Sequence, residues 1–347
     1  MTQTAVEAAE TRVPLRTRER VERAIALALV AAVVLFLLWQ LVTAPARFFS
    51  VLSIGVNQGA VYALVALGYT LVYGIIELIN FSHGDLFMLS SVLAAFAMVT
   101  WFAATVPSLR SFALLFLTLL IVMAGAAALN TLAERFAYRR LRKAPRLAPL
   151  ITAVGLSFVY QQGGLQTSGS APRNWGTVLS GSGFTVAGVS VPWSLALVLA
   201  VTVPLLLGLT YLVQRTRQGK AMRATAQDQD AARLMGIDVN RTIAFTFALG
   251  GALAGAGGLL YLQTFGTTRY DAGFQLGLIA FTSAVLGGIG NLNGAVIGGF
   301  IIGIIQAFND TLVLGQGWSQ TVVFTILILL MVFRPEGILG KPTTEKV

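Results

Sequence analysis

The sequence predicts an all-α, polytopic integral membrane protein with about 8–10 transmembrane helices and Gly-rich broken segments. Three observations carry that reading: an apolar excess, apolar runs of spanning length, and basic residues gathered in alternate loops. Hydrophobic residues make up 56% of the 347 residues and charged residues 11%, with a mean hydropathy of +0.78. A soluble domain is roughly 45–50% apolar and about 25% charged. A chain of this length has no interior able to hide the difference, so lipid must cover it.

A helix needs about 20 residues to cross the hydrocarbon core. Ten stretches qualify: 24–43, 51–76, 85–106, 112–136, 147–166, 191–213, 242–264, 275–290, 292–311 and 318–333. The pairs that meet around residues 80 and 291 fit broken or re-entrant segments as well, and eight full crossings is then the alternative. The chain is divided into a polar segment at 1–23, an extra N-terminal helix at 24–43 and a main membrane domain at 51–340. Ala44-Pro45-Ala46 resembles a signal cleavage site, but the apolar run from Ala24 to Val42 exceeds the core of about 7–15 residues usual for a signal, which favours an uncleaved helix.

The basic residues orient the chain. Arg12 to Arg23, the cluster Arg139–Arg146, the stretch Arg215–Arg241 and Lys341 with Lys346 fall on one side when ten spans are drawn. The other side keeps only Arg47, Arg110, Arg173 and Arg269. By the positive-inside rule both termini are cytoplasmic and the membrane is the inner one. The net charge of +10 therefore belongs to loops beside a bilayer and not to a nucleic-acid surface. No cysteine and a single histidine, His83, leave no metal site, no cofactor and no nucleophile–base pair to expect.

The Gly/Ser-rich stretch 167–190 is the one sizeable external loop, with room for a short hairpin or helix. Small residues at four-residue spacing, such as Gly251/Gly255 and Gly294/Gly298, let helix backbones approach closely in lipid. Two interruptions stand out: GIIELINFSHGDLFML at 74–89 and GGIGNLNGAVIGG at 287–299. Irregular backbone at membrane depth has to be buried or to line a wet cavity, and paired interruptions in two halves of a transporter point to the substrate path. Tyr69, Asn80, Ser82, His83, Asn291 and Asn293 are the candidate lining residues. Ser82-x-x-Asp85 equally matches a capping box, with His83 as a turn residue. Glu134 is expected to pair near an interface, and Asp310 to be solvated at the opposite one.

The stretch 215–241 (RTRQGKAMRATAQDQDAARLMGIDVNR) reads as a helix from Lys220 to Met235, with Gly236 as its stop. Ala224, Ala231, Leu234 and Met235 share an apolar face, while Arg223, Asp228, Asp230 and Arg233 remain polar. A small apolar knob on a charged helix suits docking in a partner's groove. An amphipathic helix on the bilayer surface is the alternative, disfavoured by the acidic residues.

Several long stretches together resemble the permeases of branched-chain amino acid ABC importers, the LivH-like member of the two partner permeases. They are GAVYALVALGYTLVYGIIELINFSHGDLFML (59–89), ERFAYRRLRKAPRLAPLITAVGLSF (134–158), GKAMRATAQDQDAARLMGIDVNRTIAFTFALGGALAGAGGLL (219–260), AFTSAVLGGIGNLNGAVIGGFIIGI (280–304) and RPEGILG (334–340). The resemblance implies a coupling loop at about 215–241, with Arg223, Asp228, Asp230, Ala231, Ala232 and Gly236 seating in an ATPase subunit. It further implies a second homologous permease, two cytoplasmic ATPase subunits, an external binding protein and a branched-chain amino acid as substrate. Urea or short-chain amides are the alternative cargo. The first 45 residues extend beyond the usual start of such permeases, and Ser82 and Asp85 stand where the family often has alanine and glutamate. No G-x-x-x-x-G-K-[ST] occurs, so the chain itself is expected to be non-catalytic and ATP hydrolysis to lie elsewhere. An ion-coupled carrier would need ionisable groups in spans that are nearly bare of them.

Overall fold

The computed structural model describes residues 35–78, 80–103, 108–142, 144–145, 147–174, 183–186, 188–334 and 336–340. The polar segment 1–23 and residues 24–34 of the extra helix lie outside the described residues; residues 35–43 are helical. The chain divides into two compact units, Met1–Ser50 with Ala187–Val189, and all the rest. Within the first unit, Phe36 packs on Trp39 with ring centroids 6.3 Å apart, and the Thr43 hydroxyl donates to the Trp39 carbonyl at 2.7 Å.

The second unit is built from helices α1 (Pro45–Ile76, from Val51 onward), α2 (Ser82–Phe96), α3 (Leu109–Ala133), α4 (Leu147–Ser168), α5 (Trp193–Arg215), α6 (Arg217–Gln227), α7 (Gln229–Leu234), α8 (Val239–Phe265), α9 (Gly273–Gly287), α10 (Leu292–Leu312) and α11 (Ser319–Phe333). Wide π turns extend α2 over Ala97–Trp101 and α3 over Glu134–Tyr138. Among the described residues seven helices are long and apolar enough to cross a membrane, counting these extensions. Helix α4 has 22 residues but carries Gln161 and Gln162, and α9 is apolar but only 15 residues long. The all-α polytopic architecture is as the composition demands.

Helices α1, α2 and α8 form the centre, with 83%, 72% and 72% of their most apolar windows buried, against 17% for α5 and 11% for the helix ending in α11. The central helices pack closely on their neighbours because glycines remove the Cβ at the contacts. A Cβ on Gly59 would stand 2.7 Å from the Cα of Phe300 in α10, and one on Gly255 would stand 2.8 Å from the Cα of Met123 in α3. Backbone-to-backbone contact of this kind is the usual source of cohesion between helices in lipid. The outer helices present Leu207, Tyr211, Ile328, Met331, Val332 and Phe333 on their exposed faces.

The 167–190 loop contains strands β1 (Arg173–Asn174), β2 (Phe184–Val186) and part of β3 (Val189–Val191). Strand β1 pairs antiparallel with β4 (Thr267–Thr268) after α8, Arg173 opposite Thr268. At the other end of the unit, residues 336–340 fold back onto the end of α9. The Ile338 and Leu339 N–H groups donate to the Leu286 and Gly287 carbonyls at 2.8 and 3.1 Å.

Candidate functional site

Helix α1 stops at Ile76, and Glu77 takes a left-handed conformation (φ 52°), rare for a residue with a side chain. Helix α2 then begins at Ser82 without a side-chain cap, after Phe81 in helical dihedrals. The capping box is therefore not formed. The Ser82 hydroxyl donates to Asn80 Oδ1 at 2.6 Å. Asp85 is 1% exposed and accepts from Ser157 Oγ and, at 3.1 Å, from Gln161 Nε2 of α4. Both side chains are enclosed, and α4 offers donors one turn apart, so partners across the bundle replace the local backbone.

His83 is likewise no turn residue. It is the second residue of α2, 1% exposed, with its ring edge-on to Tyr69 at 4.8 Å and over the Cα of Gly68, where no Cβ could fit. Tyr138, at the end of the second π turn, donates its hydroxyl to Asn80 Oδ1 at 2.8 Å. That oxygen thus receives two donors, while the buried Asn80 Nδ2 has no partner among the described residues. Asn80, Tyr69, Tyr73 and Phe281 line a narrow crevice. Through Tyr73 and Leu78 it meets a cleft of about 480 Å³ whose walls include Glu77, Arg142, Leu150 and Gln229.

The structure therefore brings Tyr69, Asn80, Ser82 and His83 together. Asn291 and Asn293 stand at the second interruption, whose Ile289 lines the same crevice. Asn291 caps α10, accepting from the Gly294 N–H at 3.1 Å and donating to the Leu339 carbonyl at 2.8 Å; Asn293 is exposed. Tyr138, Ser157 and Gln161 escaped the sequence analysis. For Ser157 and Gln161 a signal existed, two polar residues four apart in an apolar span, one helix face. Tyr138 offered none.

Glu134 is paired, as expected from sequence, but twice. Its carboxylate is fully buried and holds Arg139 Nη2 at 2.8 Å and Arg142 Nη2. Arg142 also donates through Nη1 to Asn240 Oδ1 in α8 at 2.8 Å. Burial depresses the Arg142 pKa, and the Glu134 carboxylate works against that shift. Asp310 is not merely solvated: it accepts from the hydroxyl of Ser319.

The stretch expected as one helix is two. Thr216 caps α6 by accepting from the Gly219 N–H at 3.1 Å. Asp228 then takes an extended conformation and its carboxylate accepts from the Asp230 and Ala231 N–H groups at 2.8 and 3.0 Å, starting α7. An aspartate is a better cap than a helix-interior residue, which is why the helix breaks there. Gly236 ends the segment with φ 81°, as expected, and the Ile237 N–H reaches the Ala232 carbonyl at 3.0 Å. Ala232 is buried against the bundle and Ala231 faces out. Arg223 donates to the Val213 carbonyl, and Arg233 pairs with Asp230 at 2.7 Å. Leu234 and Met235, 89% and 82% exposed, form a bare apolar tip.

A family model described as "Branched-chain amino acid transport system / permease component" matches residues 51–332. The chain belongs to this family. It is 39% identical over 297 residues to the high-affinity branched-chain amino acid transport system permease protein BraD of Pseudomonas aeruginosa, covering 84% of this chain and 96% of the relative. The LivH permease of Escherichia coli K12 is 38% identical over 306 residues with the same coverage. The ribose import permease protein RbsC of Haemophilus influenzae is 27% identical over 305 residues, 84% of this chain and 87% of its own. No solved structure matches. The family match begins at Val51, where α1 becomes buried, and leaves residues 1–50 outside the family region.

Proposed function

We propose that the chain is the membrane-spanning permease of an ATP-driven importer that carries branched-chain amino acids across the inner membrane. The family supports the permease role, and the named function of the relatives that match along 84% of the chain supports the cargo. The observation that carries the coupling to ATP is the exposed Leu234–Met235 tip. It stands on a short helix started by Asp228, stopped by Gly236 and anchored by Ala232. An apolar tip of two side chains on a charged segment is a knob for a protein groove and too little for a bilayer.

In this reading Ala231 and Ala232 keep the helix close to both surfaces, Gly236 permits its turn, and Arg223, Asp228 and Asp230 hold its shape. The partners are a second homologous permease, two cytoplasmic ATPase subunits and an external binding protein. The docking side is cytoplasmic and both termini share it. On the path itself, Tyr69 and Asn80 line the crevice with Tyr73 and Phe281, an aromatic lining with one amide donor that has no partner among the described residues, and Ser82 and His83 support it from behind. Such a lining suits an uncharged aliphatic side chain. At the second interruption Asn291, as the cap of α10, and the exposed Asn293 shape the corner beside the path.

The test is uptake of labelled leucine into proteoliposomes holding the permease with its ATPases and binding protein. ATP-dependent uptake, competed by isoleucine and valine but not by urea or acetamide, is expected. Uptake driven by an ion gradient without ATP would overturn the reading.

A further inference from the structure

We propose that a polar relay within the permease carries movement of the docking segment 217–236 to the helix break at 77–82. It runs through Asn240, Arg142, Glu134, Tyr138 and Asn80, with Tyr138 as its positioning residue. This rests on the docking role proposed above and adds the residues that transmit it.

At the input end, α7 leads through Gly236 directly into α8, whose second residue is Asn240. Asn240 accepts from Arg142 at 2.8 Å, and the charge of Arg233 on α7 is felt at Arg142. Gln229, the first residue of α7, shares the walls of the 480 Å³ cleft with Arg142, Glu77 and Leu78. The docking helix, the cation and the helix break thus border one space, which leaves room for displacement.

The middle of the relay is the π turn Glu134–Tyr138. Glu134 opens it and Tyr138 closes it. Glu134 has no exposed surface and is held by Arg139 and Arg142, so its position follows theirs: a buried carboxylate released from both cations would be left uncompensated. A wide turn holds one residue more than an α turn. Converting one to the other rotates what lies beyond it by about 100°, the angle of one helical residue. The proposed relay requires this turn to take both forms.

At the output end, Tyr138 reaches the break through its hydroxyl, which donates to Asn80 Oδ1 at 2.8 Å and lies beside the Ser82 hydroxyl. The same oxygen holds Ser82, and the Asn80 carbonyl accepts the His83 N–H at 3.1 Å at the start of α2. Losing or turning that hydroxyl therefore frees both the crevice wall and the start of the helix behind it. Asn80 Nδ2 has no partner among the described residues, so the two hydroxyls on Oδ1 are what hold this side chain by hydrogen bonds there.

The experiment uses the whole transporter, permease with its ATPases and binding protein in liposomes, and reads labelled leucine imported per ATP hydrolysed. Tyr138→Phe removes the hydroxyl and keeps the ring, which also packs on Phe247 at 5.6 Å. We expect the complex to be recovered with its ATPases, ATP hydrolysis to persist, and leucine per ATP to fall about fivefold or more, the scale of a modest coupling energy. Asn240→Ala should lower the same ratio, and the double variant should be no worse than the worse single one, because sites on one relay are not additive. A wild-type ratio in Tyr138→Phe overturns the relay, whether or not thermal stability drops. Losses that multiply in the double variant also overturn it. Met235→Glu separates this from the docking reading. It should lose the ATPases on purification. If it keeps them and transports normally, docking fails and the relay loses its input. If it loses them while Tyr138→Phe keeps the wild-type ratio, the relay alone fails.

Discussion

Around residue 80 the chain interrupts its helices with side chains, whereas around residue 290 it does so with backbone. In the first break Asn80 collects hydroxyls from Ser82 and Tyr138, and Asp85 collects donors from α4. In the second, Gly288 and Gly290 sit at φ 102° and 92°, Asn291 caps the next helix, and the Ile338 and Leu339 amides close the previous one. The first arrangement depends on side chains that can exchange partners. The second is packed tightly at Gly287, Gly288 and Gly294, where an added Cβ would meet backbone, and leaves no such latitude. Two segments with the same Gly- and Asn-bearing look thus have different physical content, one a polar junction and the other a structural corner.

Changes at the corner should therefore act on stability, and changes at the junction on transport. The largest effect is expected for Gly288→Ala. Its φ is strained for any other residue, and the added Cβ would stand 2.7 Å from the Gly340 Cα. Strain and overpacking together cost about 3 kcal/mol. Thermal unfolding in detergent should show it, and an unchanged midpoint would break the comparison. Next comes Asp85→Ala, which removes the acceptor of the buried Ser157 hydroxyl, at about 1–3 kcal/mol, and leaves the half-buried Gln161 amide its 3.4 Å contact with Ser157; both the midpoint and leucine uptake should fall.

The paired substitutions Asn80→Ala and Asn291→Ala sharpen the contrast. Asn80→Ala should cut uptake per folded molecule about tenfold, a barrier increase of ~1.4 kcal/mol. Asn291→Ala should cost about 1 kcal/mol of stability through the lost cap, with uptake per folded molecule intact. Reversed outcomes would exchange the roles of the two breaks. The smallest effect belongs to the exposed Arg269–Asp271 pair outside both. The hydrogen bond from Arg269 holds the Asp271 carboxyl below the usual carboxylate range. A depressed folded pKa contributes stability above the unfolded value of about 3.9 and loses it as pH falls through the folded one. Arg269→Ala should leave uptake at pH 7 unchanged and flatten the stability profile only below about pH 4.

Much of the fold was legible because lipid imposes it. Apolar runs of spanning length appear again as helices, with α3 from Leu109 where the sequence suggested 112 and α9 ending at Gly287 where it suggested 290. The docking segment was legible in its composition and in Gly236, since both are local. What stayed hidden depends on contacts between distant residues. Ser82-x-x-Asp85 satisfies a local rule, and only the position of α4 shows that Ser157 and Gln161 outbid it. Nothing in the neighbourhood of Tyr138 marks it as the partner of Asn80, 58 residues earlier. The split at Asp228 was readable in principle, since aspartate favours caps over helix interiors, but the surrounding helix formers masked it.

The fold-back of residues 336–340 has a consequence for how the molecule is made. The amides that close α9 belong to a segment synthesised after α10 and α11. Until then the Leu286 and Gly287 carbonyls lack these two donors. The corner between α9 and α10 can be completed only once the chain beyond Phe333 has emerged and turned back. A chain stopped there would hold every apolar helix among the described residues and still leave the Leu286 and Gly287 carbonyls without these donors.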